Sequence, residues 1–196
     1  MESPAAKFQW FKGASAIPGQ TGVSLALFDL TEADYGTYTV KATANGITVE
    51  SAPAVIRTPA EAAYAAYVDG FDLDLETDGA PGADHDRDGV ANLLEYLLGG
   101  NPIIPNPGIL PALSSTPSGN GRTLTFTYDR KITVEGIQQI VEHSSTLTPP
   151  WTAATHGESG VTIAAAPVPG NAGLERVTVT IPVTGGKRFA RLRATW

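Results

Sequence analysis

The sequence predicts a mainly β protein in which two β segments flank a short helical one. Apolar and polar residues alternate with a period of two in residues 8–57 and again in 113–196, which is the pattern of half-buried strands. The chain has 21 Gly and 15 Pro among 196 residues, a composition that favours short elements separated by turns. Only the middle of the chain contains runs of helix formers. We therefore predict three segments, 1–58, 59–112 and 113–196.

The first segment is predicted to form strands at 8–11, 23–27, 37–42 and 46–50. Its stretches FQWFKG, LFDLTEADYGTYTV and SAPAVI resemble the second half of a bacterial immunoglobulin-like domain. The resemblance implies a partial immunoglobulin-like β domain, with Trp10 in the core and Tyr38 forming a tyrosine corner next to Asp34 and Gly36. Val40 stands where the family has a cysteine, so no inter-sheet disulfide is expected.

The first two strands of that family pattern have no counterpart ahead of Trp10. A sandwich without them exposes apolar surface and unpaired backbone, which invites strand donation by another chain or by another part of this one. The simpler explanation is that the sequence is a fragment of a longer protein. Both explanations stay open at this point.

The middle segment is predicted to be a helical connector. One helix is expected at 59–67, opened by a proline, and a second at 90–98, ended by two glycines and a proline. Residues 101–112 carry four prolines and are predicted to form a semi-rigid extended linker. The window 61–95 contains ten acidic residues and one basic residue, so its net charge is −9. The whole chain has a net charge of −7, and the residues outside the window therefore carry +2. Such acidity argues against nucleic acid as a partner and favours a bound cation or a solvated acidic loop.

The run DHDRDGVANLLE, residues 84–95, matches the twelve-residue calcium loop of an EF-hand. Calcium prefers six to eight oxygen ligands, and Gly89 at the sixth position permits the sharp turn. The predicted cofactor is one Ca²⁺, and its predicted ligands at loop positions 1, 3, 5, 7, 9 and 12 are Asp84, Asp86, Asp88, the backbone carbonyl of Val90, Asn92 and Glu95. The alternative is a solvated acidic turn in which Asp88 caps the second helix.

No helix is predicted before the loop and no second loop follows, so the motif resembles the single calcium loops of dockerins and thrombospondin type 3 repeats. The stretch GAPGADHDRDGVANLLEYLLGGNP, followed by VEHSSTL and a terminal RFARLRATW, resembles C-terminal regions of large secreted or surface proteins of Verrucomicrobia-like bacteria. The resemblance implies an extracellular or cell-surface location.

The third segment is predicted to form a second small β-sandwich. Its expected strands lie at 123–128, 137–143, 160–163, 177–181 and 188–193.

No catalytic constellation is apparent, and we predict that the protein is not an enzyme. The three histidines are scattered, and no phosphate-binding or nucleophile-elbow motif occurs. Glu135 and Glu142 are candidates for a glycosidase pair, but carboxylates on a strand face are more often solvated. Trp151 or Tyr128 would suit a sugar-stacking platform, although packing is the commoner role of such side chains.

These observations predict a non-catalytic extracellular structural or adhesive surface module with a calcium-rigidified connector, extending to self-assembly into a fibre or sheath by strand complementation. The alternative is a carbohydrate-binding accessory region of a secreted hydrolase. The expected partners are another copy or other surface proteins, bound through an exposed β edge, or a glycan. No nucleic acid and no membrane span are expected, because the chain is acidic and has no long apolar run.

Overall fold

Antiparallel β-sheet makes up most of the regular structure. The computed structural model describes residues 5–134 and 136–196. Strands account for 41% of the chain and helices for 14%, which confirms the mainly β prediction. The chain divides into two compact units, Met1–Glu61 and Ala62–Trp196, and each is described by itself below.

The first unit contains one five-stranded antiparallel sheet with β3 at its centre. β1 pairs with one edge of β3, while β4 and β5 share the other edge, and β2 extends the sheet beyond β1. The strands are β1 (Lys7–Lys12), β2 (Ser15–Ala16), β3 (Gly36–Ala44), β4 (Ile47–Glu50) and β5 (Ala54–Ile56).

Tyr38 on β3 is the buried aromatic side chain of this sheet, with 4% of its surface exposed. Its hydroxyl donates a 2.6 Å hydrogen bond to the backbone carbonyl of Asp34, which is the contact that defines a tyrosine corner. Trp10 is only partly buried, and its indole N–H donates to the carbonyl of Gly22 at 3.0 Å. The expectation that Trp10 lies fully within a core is therefore not met in the described part of this unit.

The strand predicted at 23–27 is wrong. Residues 23–27 form no ladder, and Val23 and Phe28 are 79% and 83% exposed. Alternating apolar residues make a strand only where a neighbouring strand takes up their backbone hydrogen bonds. The short 3₁₀ turn Glu32–Asp34 follows instead and leads into the tyrosine corner.

Two helices occur in the described residues, α1 (Pro59–Asp69) and α2 (Asn92–Leu98). A capping box opens α1, because the Glu61 N–H donates to the Thr58 hydroxyl and the Thr58 N–H donates to the Glu61 carboxylate. Gly99, in the left-handed region with φ of 79°, ends α2. Neither helix is long and apolar enough to cross a membrane.

The second unit contains two antiparallel sheets that share one core, consistent with a β-sandwich. The four-stranded sheet has the order β10-β11-β7-β6 and the three-stranded sheet has the order β12-β8-β9. The strands are β6 (Ala112–Ser118), β7 (Gly121–Lys131), β8 (Gln138–Ser144), β9 (Thr152–Ala153), β10 (Thr162–Val168), β11 (Asn171–Val183) and β12 (Phe189–Thr195). Alternate residues of β7 and β11 face Val141 of β8 and Leu192 of β12 in this core.

The helical segment packs on this sandwich. Leu98 of α2 belongs to the core, and Leu94 and Ile109 pack against it. The predicted linker 101–112 is thus not extended throughout: Pro107–Ile109 forms a 3₁₀ turn and β6 begins at Ala112. Ile109 explains the difference, since its packing on the sandwich core holds the segment against the sheets, whereas Ile103, Ile104 and Leu110 are exposed.

Candidate metal centre

The acidic loop brings three carboxylates together. Asp84, Asp86 and Asp88 each place one oxygen within 4.8 Å of those of the other two. Left-handed backbone at Arg87 (φ 64°) and Gly89 (φ 93°) turns the chain around this point. Alternate acidic residues therefore converge on one side of the loop, as the sequence spacing predicts.

Backbone N–H groups of the loop fix the orientation of these carboxylates. The Asp88 N–H donates to Asp84 Oδ1 at 3.2 Å and to Asp86 Oδ1 at 3.1 Å. The Gly89 N–H donates to Asp84 Oδ2 at 2.9 Å, and the Val90 N–H donates to Asp88 Oδ1 at 2.8 Å. Such bonds hold carboxylate oxygens in place ahead of any ligand, which lowers the cost of organising a site.

Residues 78–83 wrap around the start of α2. The N–H groups of Asn92 and Leu93, which lack helical partners, donate to the carbonyls of Ala83 (2.8 Å) and Pro81 (3.1 Å). The Asn92 side chain is fully buried, and its Nδ2 donates to the carbonyls of Asp78 (2.7 Å) and Ala80 (3.3 Å). Asn92 thereby joins the segment before the loop to the helix after it.

Three of the four buried side-chain oxygens that have no hydrogen-bond donor among the described residues belong to residues 84–95. They are Oδ2 of Asp86, Oδ1 of Asn92 and Oε2 of Glu95. Glu95 is 0% exposed although it carries a carboxylate, and buried polar atoms almost always have a partner. Oxygen atoms without donors in an acidic loop fit a hard cation such as Ca²⁺, which is bound by oxygen alone.

Electrostatics within the loop favour the same interpretation. Burial, followed by the charges of Asp86, Asp88 and Asp84, raises the pKa of Glu95 to about 7. Burial also raises the pKa of Asp86, and the charges of Asp88 and Asp84 add to the effect. A divalent cation offsets this mutual repulsion, whereas a sodium-sized single charge offsets less of it.

Of the six predicted ligands, the structure brings Asp84, Asp86 and Asp88 together. It buries Glu95 close enough to them for all three charges to raise its pKa. Val90 and Asn92 are fully buried at the entry to α2. His85, at a non-ligand loop position, places Nδ1 3.5 Å from Asp78 Oδ2, outside the carboxylate cluster.

Sequence reasoning missed Asn106, which lies next to the loop. Its backbone N–H donates to Asp88 Oδ2 at 2.5 Å. With its amide oriented so that both ends find partners, its nitrogen faces Glu95 Oε1 at 3.3 Å and its oxygen accepts from the Asn101 N–H at 3.1 Å. The spacing of residues in the calcium-loop motif does not predict this contact, because the chain returns to the loop only after α2 has ended.

Among the described residues, the other candidates from the sequence do not form a second site. Glu135 lies outside the described residues, and Glu142 is paired with Arg191 at 2.7 Å and Arg193 at 3.3 Å. Tyr128 is 5% exposed and belongs to the core, so it cannot stack on a sugar. Trp151 is partly exposed, and the guanidinium of Arg191 lies 4.3 Å from the centroid of its ring.

The chain matches no protein-family model and no curated protein. Its function is therefore inferred from the chemistry of its own residues. That chemistry is strongest at residues 84–95, where charge, burial and oxygen atoms without donors coincide.

Proposed function

We propose that the chain is a non-catalytic structural or adhesive module of a secreted or surface protein, in which one Ca²⁺ makes the helical connector rigid. Asp84, Asp86, Asp88 and Glu95 would supply carboxylate oxygens, with the Val90 carbonyl and Asn92 completing the set. The ion would supply positive charge and geometry only, without any reaction.

One observation carries the proposal. Glu95 is a fully buried carboxylate whose Oε2 has no donor among the described residues, and it belongs to the same loop as three converging aspartates. Leaving a charge buried without a partner costs several kcal/mol, so a residue of this kind needs a specific reason. A bound cation provides that reason for all four carboxylates together.

The position of Glu95 suggests what the ion does. Glu95 lies on α2, whose Leu98 packs in the sandwich core, while the aspartates lie on the loop before the helix. An ion bound to both would fix the loop relative to the helix, and hence relative to the sandwich. Extracellular calcium modules have dissociation constants of about 10⁻⁴ to 10⁻³ M, a range that suits permanent occupancy outside cells.

Calorimetric titration of the purified protein with Ca²⁺ tests the ligand assignment. We expect one site in the wild-type protein and no measurable binding in Asp86→Ala or Glu95→Ala, because each loses an oxygen that has no other role. Glu76→Gln is the matched control, since Glu76 is an exposed acid of the same acidic stretch. Calcium binding that is unchanged in both ligand variants would refute the assignment.

Self-assembly by strand complementation is part of the proposal. It is supported by the first unit, whose sheet residues Ile47, Val49 and Val55 are 68%, 64% and 45% exposed. Apolar side chains on an open sheet favour pairing with a second copy. Electron microscopy of concentrated protein with Ca²⁺ should show fibres or sheets, and a monodisperse monomer would contradict this part alone.

The second candidate is a carbohydrate-binding accessory region. Trp151 favours it, because a partly exposed indole can stack on a sugar ring. Arg191 already covers part of this ring, which makes the structural role the better supported one. Glycan-array screening separates the two, since a structural module should show no saccharide preference.

A further inference from the structure

A return of the chain to the calcium loop lies beyond the loop itself. After α2 ends at Gly99, residues 101–109 pass back alongside the loop before β6 begins. Within this segment, Pro102 is fully buried, and Ile109 packs against the sandwich core. The segment therefore has one contact with the metal-binding loop and one with the sandwich.

Asn106 makes the contact with the loop, and it does so through two different predicted ligands. Its backbone N–H donates to Asp88 Oδ2, and its side-chain nitrogen faces Glu95 Oε1. Asp88 comes from the loop and Glu95 from the helix. Asn106 thus bridges the two parts of the site without being a predicted ligand.

The bridging geometry leaves the metal-facing oxygen free. Glu95 Oε2 has no donor, while Oε1 faces Asn106, so the amide orients the carboxylate and keeps one oxygen available. The amide oxygen of Asn106 accepts from the Asn101 N–H, which fixes the amide plane. Groups that orient a ligand carboxylate in this way strongly affect metal affinity.

The same segment is tied closely to the helix end. A Cβ at Gly100 would lie 2.6 Å from Ile109 Cδ1 and 3.0 Å from Glu95 Cβ, so the ligand-bearing turn and the core residue Ile109 approach each other across this glycine. The Ile109 N–H also donates to the Asn106 carbonyl at 3.1 Å. Displacement of Glu95 or Asn106 would therefore shift the position of Ile109.

We propose that Asn106 is the positioning residue through which calcium binding holds residues 101–109 on the sandwich. This inference rests on the proposed calcium site and adds a non-ligand residue that couples it to the C-terminal β-sandwich. Calcium fixes Asp88 and Glu95, these carboxylates hold Asn106, and Asn106 holds the turn that carries Ile109.

The test compares Asn106→Ala with the wild-type protein by calorimetric titration with Ca²⁺. We expect affinity to fall about tenfold, the lower end of the effect of losing an outer-shell partner, with one site retained. Asn120→Ala is the matched control, because Asn120 is an exposed asparagine in the β6–β7 turn. It should bind like the wild type.

Hydrogen exchange on the wild-type protein provides a second readout that does not depend on the variant folding. Saturating Ca²⁺ should slow exchange of the amides of residues 101–109. Wild-type affinity in Asn106→Ala, or unchanged exchange despite measured calcium binding, would overturn the inference and leave the proposed site intact. A wild-type protein that binds no calcium would overturn both.

Discussion

Glu95 has two carboxylate oxygens in different surroundings. Oε1 faces the amide of Asn106, and Oε2 is buried without a donor. Burial, and after it the charges of the nearby aspartates, makes its ionised form costly, which raises its pKa to about 7. The charged form of Glu95 is thus unfavourable in the metal-free fold, and a bound cation would make it favourable.

Glu95→Gln should therefore change the stability of the protein in opposite directions without and with Ca²⁺. At pH 8 in a chelator, the variant should be more stable by roughly 3 kcal/mol, since a raised pKa means that ionisation opposes folding. In excess Ca²⁺ it should be less stable than the wild type, because a ligand charge is lost. Thermal unfolding in both buffers measures the two differences.

Glu76→Gln again serves as the control, and it should change little in either buffer because Glu76 is exposed. A Glu95→Gln variant that is less stable than the wild type in the chelator as well would show that contacts of the carboxylate within the protein, such as that of Oε1 with the Asn106 amide, outweigh the cost of its buried charge.

At the scale of elements, Lys131 connects the sandwich to both helices. Its ammonium, at the end of β7, lies 4.8 Å from the ring centroid of Tyr67 on α1 and 4.1 Å from that of Tyr96 on α2. Burial lowers the pKa of Lys131, which opposes the charged form, whereas the ring faces favour it. We expect the direct ring contacts to outweigh the cost of burial at neutral pH.

Lys131→Gln should therefore destabilise the second unit by about 1 kcal/mol, the usual size of a partly desolvated cation–π contact. Lys187→Gln, at an exposed turn position, is the control and should have no effect. Urea unfolding followed by circular dichroism gives both values. A stabilised Lys131→Gln would mean that burial dominates.

The elements differ in how far the sequence predicts them. Strands β1, β3, β7 and β11 are predicted because their alternation is strong, and the aspartate cluster is predicted because its spacing is local. β6 is missed: ALSSTPS is polar and contains a proline, and only pairing with β7 makes it a strand. Asn106 and the packing of Ile109 are missed because they depend on tertiary return of the chain.

The proposed metal-binding loop belongs to the second compact unit, Ala62–Trp196. Trp10 lies in the first unit, and Trp151 and Trp196 lie in the second. Each unit thus has its own fluorescent reporter. A ligand that binds one unit stabilises that unit according to its occupancy.

Calcium should raise the urea midpoint reported by Trp10→Phe, in which the second-unit tryptophans remain. At ten times the dissociation constant, the expected gain is about 1.4 kcal/mol. The Trp151→Phe/Trp196→Phe double variant, which reports Trp10, should show no calcium effect. Equal shifts in both would indicate that the two units unfold as one.

The contacts of Asn106 with the loop bear on protein engineering. The DHDRDGVANLLE stretch contains the predicted ligands, but groups that contact them lie on both sides, at Asp78 and Ala80 before it and at Asn106 after it. Grafting the twelve residues alone into a foreign scaffold would transfer the predicted ligand oxygens without the groups that orient them. The shortest segment that would keep these groups runs from Asp78 to Asn106. The recipient protein would need a β-sandwich with an apolar pocket that accepts Leu98.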